Sequence, residues 1–153
     1  RDRIMSRGLG DVYKRQDYNN DKKIDLKNIE DSFASAANYI KNLGWNNDIP
    51  CFYKINLKDD IPLEFLNTSA KKLNNKRKVK YFSKYIENSD HLKQFNNLNS
   101  AIITPDVDIV ENAKKFSPAY IVFDNYDLIL KWNRSLRFAL AVCTLRDKFK
   151  DEL

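Results

Sequence analysis

Three oxygen-bearing side chains occupy alternate positions in an acidic stretch near the start of the chain. Asp17, Asn19 and Asp21 match positions 1, 3 and 5 of an EF-hand-type calcium loop, and Lys23 would supply the backbone carbonyl of position 7. Position 12, where such a loop carries a chelating Glu, is occupied by Asn28. The spacing therefore predicts half of a calcium site, and a polar turn with solvated charges is the alternative.

An amphipathic helix is predicted directly after this loop. Its apolar stripe has the i, i+3, i+4, i+7 spacing and consists of Phe33, Ala36, Ala37 and Ile40. Asp31 or Ser32 would cap the start of the helix, and Gly44 would end it. Tyr39 lies beside the stripe. We therefore expect Tyr39 to line a groove rather than to fill the core, and a half-buried packing tyrosine is the alternative.

The loop and the helix together carry a family pattern. The matching residues are Asp17-x-Asn19-x-Asp21-x-Lys23, Asp31, the run Ser35-Ala-Ala-Asn-Tyr39 and the pair Gly44-Trp45. This pattern resembles the calcium loop and following helix of the membrane-bound lytic murein transglycosylase B family. In that family the last metal ligand comes late, at the spacing of Asp31. The resemblance thus implies a structural calcium ion held by Asp17, Asn19, Asp21, Lys23 and Asp31.

A second element of the same family lies near the end of the chain. It is an aromatic-Asn-x-Ser unit that opens a helix reading Ala-x-Ala-Val, matched here by Trp132-Asn133, Ser135 and Ala139-x-Ala141-Val142. The resemblance implies that Tyr39, Trp132 and Asn133 line a glycan cleft. From the residues alone, Asn133 is also predicted to cap the helix. The buried stripe of that helix would be Leu136, Ala139, Leu140 and Cys143.

The resemblance also implies a reaction and a fold. The reaction is cleavage of peptidoglycan between N-acetylmuramic acid and N-acetylglucosamine, with formation of 1,6-anhydromuramic ends. Family members use one Glu as acid and then base, and that Glu precedes the calcium loop. We therefore assign no catalytic residue to this chain and expect the fragment alone to be inactive. The implied fold is α+β, a mainly helical lysozyme-like transglycosylase fragment with a small antiparallel β-sheet.

The other elements are predicted from local patterns. Residues 51–57, 101–104 and 119–123 are typical of strands, and residues 126–131 would form a further strand in a hairpin with 119–123. Residues 63–73 are expected to be a short helix. Cys51 would begin a strand and Cys143 would lie on a helix face. We favour two separately buried thiols over a disulfide, which remains the alternative for an oxidising compartment.

Composition limits the classes of function. The chain has 153 residues, enough for one domain, and its 42% apolar residues form no run long enough for a transmembrane helix. Residues 1–16 hold four of the eight Arg and carry five basic against two acidic residues, which accounts for +3 of the formal +6. We interpret this segment as non-native, and residues 17–153 as the C-terminal portion of a lytic transglycosylase catalytic domain. The net charge is thus poor evidence for nucleic-acid binding.

A basic run interleaved with aromatic residues spans residues 71–85. We interpret it as a solvated surface with Tyr81, Phe82 and Tyr85 facing inward, and a polyanion-binding surface is the alternative. His91, the only histidine, is expected at the surface.

The expected partners are peptidoglycan glycan strands, not nucleic acid. The expected location is the periplasm, with outer-membrane anchoring through a lipid on a lost N-terminus. The terminal Lys150-Asp-Glu-Leu153 matches an endoplasmic-reticulum retention signal, which we set aside because no secretory leader accompanies it. The alternative function is a non-catalytic calcium- or glycan-binding module.

Overall fold

The chain divides into two compact units, Arg1–Asn46 and Asn47–Leu153. The computed structural model describes residues 29–107, 111 and 116–152 of the chain.

The described part of the first unit is helix α1, Ile29–Asn42. It begins before Asp31 and Ser32, so the prediction that one of them caps it is wrong. Its end agrees with the sequence, because Gly44 has φ +99° and donates its N–H to the carbonyl of Lys41 at 3.1 Å. A left-handed residue at this position is the usual way to end a helix. Ala37 is exposed and therefore does not belong to the predicted apolar stripe.

The second unit contains a mixed sheet of five strands. They are β1 (Phe52–Ile55), β2 (Leu66–Asn67), β3 (Arg77–Lys78), β4 (Asn99–Ile103) and β5 (Ala119–Phe123). The order is β1-β5-β4-β2, and β3 also pairs with β4. The β2–β4 pairing is parallel and the others are antiparallel. The strands predicted near residues 51–57, 101–104 and 119–123 are confirmed.

Three α-helices and three 3-10 helices complete the described part of this unit. The α-helices are α2 (Val79–Phe82), α3 (Asp124–Trp132) and α4 (Leu136–Glu152), and the 3-10 helices are Leu63–Phe65, Ser83–Tyr85 and Ser89–Phe95. The helix predicted over residues 63–73 is wrong. It ends after one turn because Leu66 and Asn67 pair with Ile102 and Ile103 of the central strand.

Helix α3 replaces the strand predicted at residues 126–131, so that prediction and the hairpin are both wrong. Both edges of β5 are already paired, with β1 and β4. Asp124 and Asp127 lie in the first turn of α3, where carboxylates interact favourably with the helix dipole. Its buried residues include Tyr126, Ile129 and Leu130, whose spacing of three and four is helical.

The core of the second unit lies around the central strand β4. Val79, Phe82, Leu92, Ile102 and Ile121 all have 0% exposure. Helices surround a small sheet, which confirms the predicted α+β class. None of the described helices combines the length and apolar character needed to cross a membrane.

Cys51 and Cys143 form a disulfide, with their Cα atoms 5.9 Å apart. The preference for two separate thiols is therefore wrong, although both residues are buried as expected. The bond connects the residue before β1 to the buried face of α4. The sequence could not reveal this pairing, because 92 positions separate the two residues.

Candidate functional site

The candidate glycan-binding residues of the second unit lie where α3 ends and α4 begins. We call residues 132–135 the helix junction. Trp132 ends α3 and is 41% exposed. Its ring meets the Phe138 ring edge-on, with centroids 5.8 Å apart and planes at 73°. The Phe138 contact supports one part of the indole, while a large part of it stays accessible for stacking.

Asn133 does not cap α4, so that prediction is wrong. Asn133 instead ends α3, since its N–H donates to the carbonyl of Ile129 at 3.0 Å. Ser135 is the cap of α4, because its hydroxyl accepts the N–H of Phe138 at 3.2 Å. The Asn133 side chain is exposed and makes no hydrogen bond within the described part of the chain. Its amide therefore has both a donor and an acceptor available for a ligand.

A buried tyrosine stabilises the helix junction from below. Tyr126 is 0% exposed, and its hydroxyl donates to the carbonyl of Leu136, the first residue of α4, at 2.8 Å. Burial raises the pKa of the Tyr126 phenol, since the phenolate would lose its hydration, and Tyr120 adds a smaller effect in the same direction. Next to it, the Asn125 amide donates to the carbonyl of Ile49 at 2.8 Å. The Tyr126 bond ties the start of α4 to α3, and the Asn125 bond ties the start of α3 to the chain before β1.

A cleft of about 400 Å³ lies beside the C-terminal end of α3. One wall is residues 70–76, which we call the lysine loop, and the other is the end of α3 with Arg134. Leu73 and Leu130 form its apolar part. The cations that line it are Lys71, Lys72, Lys76, Lys131 and Arg134. The carboxylate among its lining residues is Asp127, 2.8 Å from Lys76 and 3.6 Å from Lys131.

The rest of the basic run, residues 77–85, agrees with its interpretation as a solvated surface whose aromatic residues face inward. Phe82 is buried, and Tyr81 and Tyr85 pack partly buried against the core. Lys84 lies over both tyrosine rings, at 4.7 and 4.9 Å from their centroids. These aromatic faces are thus already covered by a cation of the same run. His91 is exposed, as expected.

The predicted calcium site falls outside this part of the molecule. Asp17, Asn19, Asp21 and Lys23 lie outside the described residues, and only the backbone of Asp31, within α1, is described. Elsewhere in the described chain, no group of three or more His, Cys, Asp or Glu side chains could hold a metal ion. The calcium site therefore stays a prediction.

The glutamates whose exposure the structure describes do not lie in the environment that a general acid needs. Glu64, Glu87 and Glu111 are exposed, whereas a general acid of glycoside cleavage needs a partly apolar environment that raises its pKa. The sequence assigns none of them to catalysis. Tyr39 is half-buried on α1, in the first unit, and Trp132 and Asn133 are in the second.

The sequence matches the transglycosylase SLT domain family over residues 13–147. The chain belongs to this family. No curated protein matches it at a significant level. The match covers both Asp17 and Asn133, so the acidic loop and the helix junction of this SLT chain lie within one family domain.

Solved structures share the fold of this SLT chain. SltB3 of Pseudomonas aeruginosa, in complex with NAG-NAM-pentapeptide, has 23% identity and a TM-score of 0.65 over 90% of this chain and 35% of its own. The catenated lytic transglycosylase SltB1 of the same organism has 17% identity and a TM-score of 0.67, over 96% and 44%. The Escherichia coli lytic transglycosylase Slt35 in complex with calcium has 20% identity and a TM-score of 0.58, over 86% and 38%.

These likenesses confirm the predicted lysozyme-like α+β fold. The chain spans between about a third and a half of the length of the solved proteins that it matches. It therefore corresponds to a part of each of them.

Sequence reasoning missed two features of the site. Ser135 was available as a cap, since it directly precedes the first helical residue and lies three positions before Phe138. The cationic cleft had no local signal, because Lys72 and Arg134 are far apart in the sequence and meet only in the folded chain.

Proposed function

We propose that this chain is part of a peptidoglycan lytic transglycosylase of the membrane-bound lytic murein transglycosylase B type. The enzyme would cleave between N-acetylmuramic acid and N-acetylglucosamine and leave 1,6-anhydromuramic ends. The observation that carries the proposal is the family match over residues 13–147. The NAG-NAM-pentapeptide bound to SltB3, a protein of the same fold, supports peptidoglycan as the substrate class.

In this proposal the chain supplies part of a glycan cleft. Trp132 would stack on the apolar face of a sugar ring, and the Asn133 amide would bind its hydroxyl or acetamido groups. Tyr39 is the third proposed contact. The contact with Phe138 favours such a role for Trp132, because a ring that is already supported loses less entropy when a glycan binds.

The reaction itself needs a carboxyl group that the proposal places elsewhere in the enzyme. A Glu in a partly apolar cleft would protonate the glycosidic oxygen as the bond to C1 breaks. The carboxylate would then take the proton of the muramyl C6 hydroxyl as that oxygen bonds to C1. This gives the anhydro sugar without water. In the family this Glu precedes the calcium loop, so the residues of this chain would bind and orient the glycan.

A structural calcium ion is part of the proposal. The donors would be Asp17, Asn19, Asp21, the Lys23 carbonyl and Asp31, an all-oxygen set of the kind that calcium prefers. Bound calcium would balance the negative charge of the carboxylates that hold it. The calcium complex of Slt35 supports this proposal by analogy. A melting temperature that rises with calcium but not with magnesium would test it, with Asp17→Asn/Asp21→Asn as the variant that loses the response.

The proposed location is the periplasm, with outer-membrane anchoring through a lipid elsewhere in the protein. A leader and lipid-attachment site in the full reading frame, followed by fractionation of the full-length protein with the outer membrane, would test it.

The central experiment measures glycan binding and turnover separately. We expect stem-free glycan strands to bind the 153-residue protein by calorimetry, and Trp132→Ala and Asn133→Ala each to weaken binding about tenfold. Leu145→Ala is the matched control, because Leu145 is 50% exposed on α4 and outside the helix junction. Equal binding by all four proteins would overturn the assigned glycan contacts.

Turnover separates the enzyme from a non-catalytic module. We expect no anhydromuropeptides from murein sacculi with this chain alone, and their release by the protein read from the complete frame. If the complete protein binds glycan but releases no anhydromuropeptides, it is a non-catalytic glycan-binding module.

A further inference from the structure

The cationic cleft beside the helix junction has no role in the function proposed so far. Among the described residues, five cations line it together with one carboxylate, that of Asp127. Lys76 and Lys131 are near that carboxylate, whereas Lys71, Lys72 and Arg134 have no ion pair within the part of the chain that the structure describes. Like charges gathered around one concave surface produce a positive potential, which attracts anions.

The backbone of the lysine loop is held in place by buried side chains. The Asn67 side chain is buried, donates to the carbonyl of Asn74 at 3.2 Å and accepts the N–H of Asn74 at 2.8 Å. Leu73 is 4% exposed, which anchors the middle of the lysine loop in the core. Opposite it, Lys131 and Arg134 are fixed by α3 and by the helix junction. The cleft is therefore formed before any ligand arrives.

We infer that this cleft binds the carboxylates of the peptide stem of the same peptidoglycan strand whose sugars contact Trp132 and Asn133. This inference rests on the proposed function. Lys131 and Arg134 flank Trp132 and Asn133 in the chain, so the two binding surfaces are adjacent. A stem of five residues reaches about 17 Å when extended, which is enough to pass from one surface to the other.

The chemistry of the cleft fits such a stem. A peptide stem carries several carboxylates together with small apolar side chains. The guanidinium of Arg134 can bind a carboxylate through two parallel hydrogen bonds. Lys71 and Lys72 add positive charge that no ion pair balances within the described residues.

The test compares glycan strands that carry stems with strands from which an amidase has removed them. We expect the 153-residue protein to bind stem-bearing strands about tenfold more tightly, with a preference that shrinks as salt rises. Lys71→Gln/Lys72→Gln changes the two cations of the lysine loop that have no ion pair within the described residues. It should abolish the preference and leave the affinity for stem-free strands unchanged.

The matched control is Lys54→Gln/Lys148→Gln, which removes the same charge from two exposed residues outside the cleft. It should keep the preference. A wild-type protein that binds both kinds of strand equally would overturn the inference. So would a control variant that loses as much preference as the cleft variant.

Two further measurements distinguish this inference from the proposed glycan contacts and from binding of any polyanion. If stem-free strands do not bind at all, the proposed glycan contacts fail. Binding of the isolated stem peptide that depends on Lys71 and Lys72 still supports the cleft. A DNA duplex serves as an unrelated polyanion. Competition by DNA at the affinity of the stem would overturn the assignment to carboxylate peptides.

Discussion

The helix junction and the lysine loop both present exposed side chains to a ligand, but the fold stabilises them differently. The junction lies between two helices and is held by Tyr126, while the disulfide between Cys51 and Cys143 ties α4 to the start of β1. The lysine loop has no regular structure at residues 70–76 and depends mainly on one buried amide, that of Asn67.

The difference predicts which substitutions will disturb each surface. In both regions the exposed residues contribute little to stability, and a buried residue below determines where they lie. Changing Tyr126 or the disulfide should disturb the helix junction and spare the lysine loop. Changing Asn67 should do the reverse.

The largest effect should come from removing the crosslink. Cys51→Ala/Cys143→Ala should lower the free energy of unfolding by about 4 kcal/mol, because the bond closes a loop with a sequence separation of 92. Denaturant unfolding measures the loss, and hydrogen exchange should rise in α4 more than around Leu73. Reduction of the wild-type protein should reproduce the loss. A loss below about 1 kcal/mol by both routes would contradict this account.

The next effect concerns the other region. Asn67→Ala should lower the free energy of unfolding by about 2–3 kcal/mol, since it leaves the N–H and carbonyl of Asn74 and the carbonyl of Ile102 without their side-chain partner. It should also weaken binding of the peptide stem while stem-free glycan binds as before. Asn99→Ala, at an exposed position of β4, is the control and should cost less than about 0.5 kcal/mol.

A smaller effect is expected at Tyr126. Tyr126→Phe keeps the ring and removes the bond to the carbonyl of Leu136, so it should cost about 1 kcal/mol. The folded-state pKa of Tyr126 lies above its ordinary value of 10.0. Its contribution is therefore complete below pH 10 and is lost as the pH rises above that value, because only the unfolded chain then releases the proton.

Stability against pH checks the sign of this prediction. The wild-type protein should lose stability more steeply than Tyr126→Phe above pH 10, and the two curves should run parallel at neutral pH. Tyr85→Phe, at a half-buried position with no resolved role in the junction, should keep the wild-type slope. Identical alkaline slopes for all three proteins would exclude Tyr126 as the cause.

The smallest effects distinguish the two polar residues of the junction. Ser135→Ala should cost about 1 kcal/mol, because it removes the cap of α4. Asn133→Ala should cost less than about 0.5 kcal/mol and should instead weaken glycan binding. The reverse order of stability losses would restore Asn133 as the cap.

Local patterns predicted those elements whose local preference agrees with their tertiary environment. Residues 119–123 are rich in β-branched and aromatic side chains and form β5, and Gly44 ends α1 as expected. Residues 126–131 also contain an apolar run but form α3. There the helical spacing of Tyr126, Ile129 and Leu130 and the two early aspartates outweighed the strand-like composition.

The sequence by itself determined that the chain belongs to the transglycosylase SLT domain family, which matches residues 13–147. The spacing of Asp17, Asn19, Asp21 and Asp31 and the unit around Trp132-Asn133 pointed to a lytic transglycosylase. These motifs are local, so they can be read without coordinates. Only the tertiary structure decided that Cys51 pairs with Cys143, that Ser135 rather than Asn133 caps α4, and that Lys72 and Arg134 share a cleft. The pairing and the cleft depend on contacts between distant residues, and the cap depends on the exact residue at which a helix begins. Composition and periodicity do not encode these features.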